Sequence, residues 1–149
     1  MKKLFALLAI LLATGAARAE ERATPQDAED LVKTAISYMK KHGPEKAYAT
    51  YQSKTGPFIY KDLYIMVYDM NGKCVAHGAD PSRVGKDFAD AKDPDGKLFV
   101  KERIEIAKTK GHGWQDYKFM NPATKKVEQK TSYVEKVNDV IVCAGAYKG

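Results

Sequence analysis

Three histidines, two cysteines and the aspartates of one turn are the first side chains in these 149 residues to weigh for metal binding or covalent chemistry. His42, His77 and His112 lie far apart and show no paired ligand spacing. Asp93-Pro94-Asp95-Gly96 reads as a turn, because the distal bidentate glutamate of a calcium loop is absent. No Cys-x-x-Cys-His run offers covalent haem attachment, no serine sits in a nucleophile elbow, and no acid–base pair stands out. The sequence therefore nominates no catalytic group, no metal ligand and no cofactor, and a binding module is expected rather than an enzyme. Cys74 and Cys143 form an even pair that an oxidising compartment would allow to bridge, closing a loop of about seventy residues; buried free thiols are the alternative.

The elements that must position any binding group follow from periodicity and turn chemistry. Thr24-Pro25-Gln26-Asp27 supplies a hydroxyl cap, a proline for the first turn and an acid near the positive helix end. Ala28, Leu31, Val32, Ala35, Ile36 and Met39 then recur at helical spacing, and His42-Gly43-Pro44 stops the helix. A shorter helix is expected from Pro44 to Gln52, ended by Gly56-Pro57. Leu63 to Asp69 suits a half-buried strand, Asn71-Gly72 a tight hairpin, and Cys74 to His77 the returning strand. Pro81 to Ala91 reads as an irregular flap with a helical turn. A helix is expected from Leu98 to Lys110. Strands are expected over Gly113–Met120, Val127–Val137 and Val140–Tyr147, the last two joined at Asn138-Asp139. Five strands with segregated helices imply an α+β domain, with a flap that encloses a pocket.

The ends and the charge set the compartment. Lys2 and Lys3, the apolar run Leu4 to Ala13, and Ala17-Arg18-Ala19 read as a cleavable leader over residues 1–19, leaving residues 20–149 as one domain. Lys2, Lys3 and Arg18 leave with the leader, which takes the formal charge from +6 to +3. The remaining charges are interspersed, and no basic–aromatic stripe suggests nucleic-acid binding. A periplasmic or secreted protein is expected, with no transmembrane segment in the mature chain.

Tyr68-Asp69-Met70-Asn71-Gly72-Lys73, Ala76-His77-Gly78, Val84-Gly85-Lys86-Asp87, Lys92-Asp93-Pro94-Asp95-Gly96-Lys97, Gly113-Trp114, Asp116-Tyr117 and Ser132-Tyr133-Val134 resemble the single Cache domain family, in its second type. The resemblance implies an extracytoplasmic, PAS-like sensor domain with a five-stranded antiparallel sheet ordered 2-1-5-4-3. It implies a long amino-terminal helix behind the sheet and a ligand pocket between sheet and flap. It also implies small ligands, often short carboxylates, in receptors for chemotaxis or signalling. Family members in receptors are tethered at both ends, whereas this chain ends right after its last strand, at Tyr147-Lys148-Gly149, so a free-standing member is expected.

A carboxylate ligand needs charge-assisted or hydroxyl donors in an apolar setting. The candidates are His77, Trp114, Tyr117, Lys130 and Tyr133, with Phe88 and Phe99 as apolar walls; the resemblance places His77, Lys130 and Tyr133 where pocket residues are common. Lys130 and Tyr133 are three apart, so they share a face only if a bulge intervenes near Thr131. The implied strand order also sets the strands of Cys74 and Cys143 about 9.6 Å apart, beyond the roughly 7 Å limit for bridged Cα atoms, which favours free thiols. The expected function is a sensor module that binds a short-chain carboxylate without changing it, with a membrane receptor as a further partner. The alternative is a pocketless interaction module that dimerises or docks on a receptor.

Overall fold

The computed structural model describes residues 21–148; the leader expected over 1–19 lies outside them. Helix α1 (Pro25–His42) starts with a reciprocal cap: Asp27 N–H donates to Thr24 Oγ1 at 3.1 Å, and Thr24 N–H to Asp27 Oδ2 at 2.8 Å. Gly43, at φ 84°, ends α1 and starts α2 (Pro44–Tyr51). Strands β1 (Met66–Asp69) and β2 (Cys74–His77) form the hairpin, and a 3-10 turn (Pro81–Arg83) opens the flap. Helix α3 (Phe99–Thr109) precedes β3 (His112–Met120), β4 (Val127–Val137) and β5 (Val140–Tyr147).

All five strands pair antiparallel in the order β2-β1-β5-β4-β3, as the resemblance implied. The first strand is shorter than expected. Leu63, Tyr64 and Ile65 are buried but lie before the regular ladder, held by a Tyr60–Leu63 bridge and by Gly78 N–H donating to Ile65 O at 2.9 Å.

Two apolar layers sandwich the sheet. On one face α1 and α2 bury Ala28, Val32, Ala35, Ile36 and Met39 against Ile65, Val67, Val142 and Ala144. On the other, α3 and the flap cover Tyr64, Met66, Tyr68, Tyr117, Cys143 and Tyr147. Neighbouring segments bond to both sheet edges. The flap runs beside β2, with Cys74 N–H donating to Lys86 O at 3.0 Å and Phe88 N–H to Gly72 O at 2.9 Å. A Cβ at Gly72 would lie 2.8 Å from Ala89, so only glycine permits that approach. At the far edge, the Asp93 turn blocks β3, since Asp93 Oδ2 accepts from Lys118 N–H at 3.0 Å.

One irregularity sets which side chains face the flap. Val67 pairs with Ala76 and Tyr68 with Cys74, so Val75 is an extra residue in β2. Cys74 and His77 therefore share the flap face despite their odd spacing. Strand β4 has no such break: Lys130 pairs with Tyr147 and Tyr133 with Ala144 in continuous register.

Candidate functional site

Lys130 is fully buried on the flap face of β4. Its Nζ donates to Tyr64 OH at 2.9 Å and otherwise meets only the Met66 thioether at 4.0 Å. The rings of Tyr64, Tyr147, Phe119 and Tyr117 surround it, with centroids 4.6, 4.8, 5.3 and 5.9 Å away. Its stem lies across Gly145, where a Cβ would fall 2.4 Å from Lys130 Cε. Burial, aided by the Arg103 charge, pushes the Lys130 pKa down to about 7.

Arg103 of α3 is a second fully buried cation. Its Nε donates to Gln115 Oε1 at 2.8 Å and its Nη2 to Tyr117 OH at 3.2 Å, while Nη1 has no partner. Arg83, in the 3-10 turn, stacks its guanidinium 3.9 Å over the Phe88 ring and leaves Nε unpaired. Among the described residues, no carboxylate forms an ion pair with Lys130, Arg103 or Arg83.

His77 adds a neutral donor. Its Nδ1 accepts from Ala79 N–H at 3.2 Å and Asp80 N–H at 2.9 Å, which puts the proton of the neutral ring on Nε2. That N–H is buried without a partner. Burial, reinforced by the Lys130 and Arg83 charges, pushes the His77 pKa down to about 3, so the ring is neutral at ordinary pH. A relay completes the wall: Lys130 Nζ donates to Tyr64 OH, which bonds Tyr147 OH at 2.8 Å, and Tyr147 OH donates to Met120 O at 3.2 Å.

Of these groups, Tyr64, His77 and Arg83 line an inner chamber of about 310 Å³ together with Asp80, Phe119 and Pro122 among others, whereas Lys130 and Arg103 do not line it. Lys130 stands one side chain behind its Tyr64 wall. The Asp80 carboxylate in the rim is engaged by Ser82, whose N–H and hydroxyl both donate to it. The lining offers a compact anion the His77 Nε2–H and the Arg83 guanidinium beside the Tyr64 and Phe119 rings. Among the described residues, no cluster of histidine, cysteine or acidic side chains could hold a metal ion, and no helix is long and apolar enough to cross a membrane.

The flap face brings together His77, Tyr117, Lys130, Phe88 and Phe99 from the sequence candidates. Two others must be corrected. With β4 unbroken at Thr131, Tyr133 points to the α1 face, where its hydroxyl donates to Glu135 at 2.8 Å. Trp114, its partner across β3, lies on the same wrong face, 43 % exposed and 5.3 Å from the Tyr133 ring. Cys74 and Cys143 are buried free thiols, as the strand spacing favoured, donating to Ala76 O and Met66 O at 3.5 Å each.

Sequence reasoning missed Tyr64, Arg83, Arg103, Tyr147 and Gly145. Arg103 carried a signal, since it stands four residues from both Phe99 and Ala107 and so on the buried stripe of α3. Tyr64 shares strand parity with Met66 and Tyr68.

The sequence pattern of the family described as Single Cache domain 2 matches residues 2–149. The sensor histidine kinase MctS of Rhizobium johnstonii is 38 % identical over 74 residues, 50 % of this chain and 16 % of that protein. The methyl-accepting chemotaxis protein McpP of Pseudomonas putida is 28 % identical over 74 residues, 50 % of this chain and 14 % of its own length. The chain thus matches only about one sixth of the length of these curated relatives. Among solved structures, a methyl-accepting chemotaxis protein from Vibrio parahaemolyticus superposes with a TM-score of 0.72 at 20 % identity, covering 82 % of this chain and 86 % of that one. A Cache chemosensory domain described for carboxylic acid recognition gives 0.71 at 22 % identity, covering 83 % and 92 %. At these identities the two superpositions establish the fold.

Proposed function

This chain belongs to the Single Cache domain 2 family of sensor domains, and we propose that it is an exported, non-catalytic module that binds a short-chain carboxylate in the chamber beside His77. One observation carries the reading: the unpaired His77 N–H and the Arg83 guanidinium, which has no carboxylate partner among the described residues, line the chamber, with the buried Lys130 amine behind its Tyr64 wall. An uncompensated buried charge is costly, and an anion entering the chamber would supply the missing counter-charge. The description of a structural neighbour as recognising carboxylic acids supports the same ligand class. Export rests on the leader expected over residues 1–19, and signalling to a membrane receptor on the kinase and chemoreceptor relatives.

Size limits affinity. The best tiny ligands gain about 1.5 kcal/mol per heavy atom, so acetate reaches about 6 kcal/mol, or tens of micromolar. A thermal-shift screen with acetate, propionate, pyruvate and lactate tests the reading, since a ligand bound to the native state raises Tm. The expected result is a concentration-dependent rise with at least one acid, weakened in His77→Ala. No rise with any acid, together with a concentration-dependent oligomer, would favour the interaction module instead.

A further inference from the structure

A second cavity of about 270 Å³ lies beside the inner one, lined by Ile59, Leu63 and Ala123 together with Lys54, Lys61 and Asp62 among others. Both chambers are lined by Tyr64, Ala79 and Pro122, so these three stand between them. Alanine and proline have no side chain that can swing aside. Tyr64 does, and it is the only one of the three with a bulky ring.

We propose that Tyr64 sets the length of acid the site accepts: its ring closes the inner chamber toward the outer one, which an acyl tail enters only when that ring is moved or shortened. This rests on the carboxylate reading above.

The base of Tyr64 is held by packing and its tip by hydrogen bonds. A Cβ at Gly78 would lie 3.0 Å from Tyr64 Cβ, so the neighbouring backbone is packed on the root of the side chain. The hydroxyl is held by Lys130 Nζ and Tyr147 OH, and the ring rests 5.1 Å from that of His77. Lys130 Nζ gives one hydrogen bond to Tyr64 OH, and as an ammonium it has further donors for a carboxylate. The other neighbouring cavity, of about 280 Å³, lies behind Arg83 and Phe119, with the guanidinium 5.3 Å over that ring, so two packed side chains and not one close that route.

The test reads how affinity changes with chain length, which a merely structural role for Tyr64 would not alter. Acetate, propionate, butyrate, pentanoate and hexanoate are titrated calorimetrically into the native chain, Tyr64→Ala and Tyr64→Leu. Tyr64→Leu keeps apolar bulk in case the alanine variant does not fold, and each protein is first shown to unfold cooperatively. In the native chain, affinity is expected to rise and then fall along the series. In a folded Tyr64 variant the rise continues for at least two further carbons, at about fourfold per buried methylene. The same length limit in native chain and folded variant, with short acids bound by both, would overturn this inference alone. Failure of every acid to bind any of the three proteins would overturn it together with the carboxylate reading.

Discussion

Replacing Lys130 with methionine should make the ligand-free protein more stable at neutral pH and remove part of its pH dependence. The lysine titrates near 7 in the fold against an ordinary value of 10.5. Between those values the unfolded chain binds a proton that the folded chain does not, so stability rises with pH across that window. The slope approaches about 1.4 kcal/mol per pH unit. Above about pH 8.5 the buried thiols oppose it, because burial raises the pKa of Cys143 and lifts that of Cys74 to about 11, so these thiols ionise first in the unfolded chain. The clean window is pH 7 to 8.5, over which wild type should gain about 1–2 kcal/mol. Urea unfolding at half-unit steps reads this directly. Lys130→Met should be flat across the window and more stable at pH 7. A saturating short acid, by keeping the ammonium charged, should flatten the wild-type curve as well. Equal slopes in wild type and Lys130→Met would refute the reasoning, because the ammonium would then be compensated by a group that titrates with it.

Gly145→Ala should cost about 1–3 kcal/mol in the same assay and weaken acid binding at least tenfold, because its Cβ would displace the Lys130 stem and meet Ser132 Oγ within 2.3 Å. Arg22→Ala should destabilise by about 1–2 kcal/mol, since Arg22 bonds both oxygens of Glu128, at 2.8 and 3.1 Å, beside donors from Asn121 and Thr124. The Arg22 hydrogen bonds lead the causes that hold Glu128 down at about 2, so its stabilisation is full above about 4.5 and lost as pH falls through 2; Arg22→Ala should move acid unfolding to higher pH. Thiol titration without reductant should count two free groups after denaturation and essentially none in the native protein.

The α1 stripe, the Asn71-Gly72 hairpin and the Asn138-Asp139 turn were legible because each is a local signal: helical period, or backbone that the turn needs at positive φ. Strand order was not local, and it followed from the family resemblance. The site was half legible. Strand parity warned that Lys130 and Tyr133 diverge unless a bulge intervenes near Thr131, and the register there is continuous. The bulge sits at Val75, where a valine in Cys74-Val-Ala-His77 looks like ordinary alternation; nothing in those four residues marks the slip. The buried Arg103 could have been found from its place between Phe99 and Ala107. Gly145 could not, because its role depends on a lysine from the neighbouring strand crossing over it.

A crystal structure of the protein grown with propionate tests the central claim most directly. The account predicts a bound acid in the inner chamber, with a carboxylate oxygen within hydrogen-bond reach of His77 Nε2 or Lys130 Nζ. Propionate bound elsewhere, or a chamber that stays without it at saturating concentration, would contradict it.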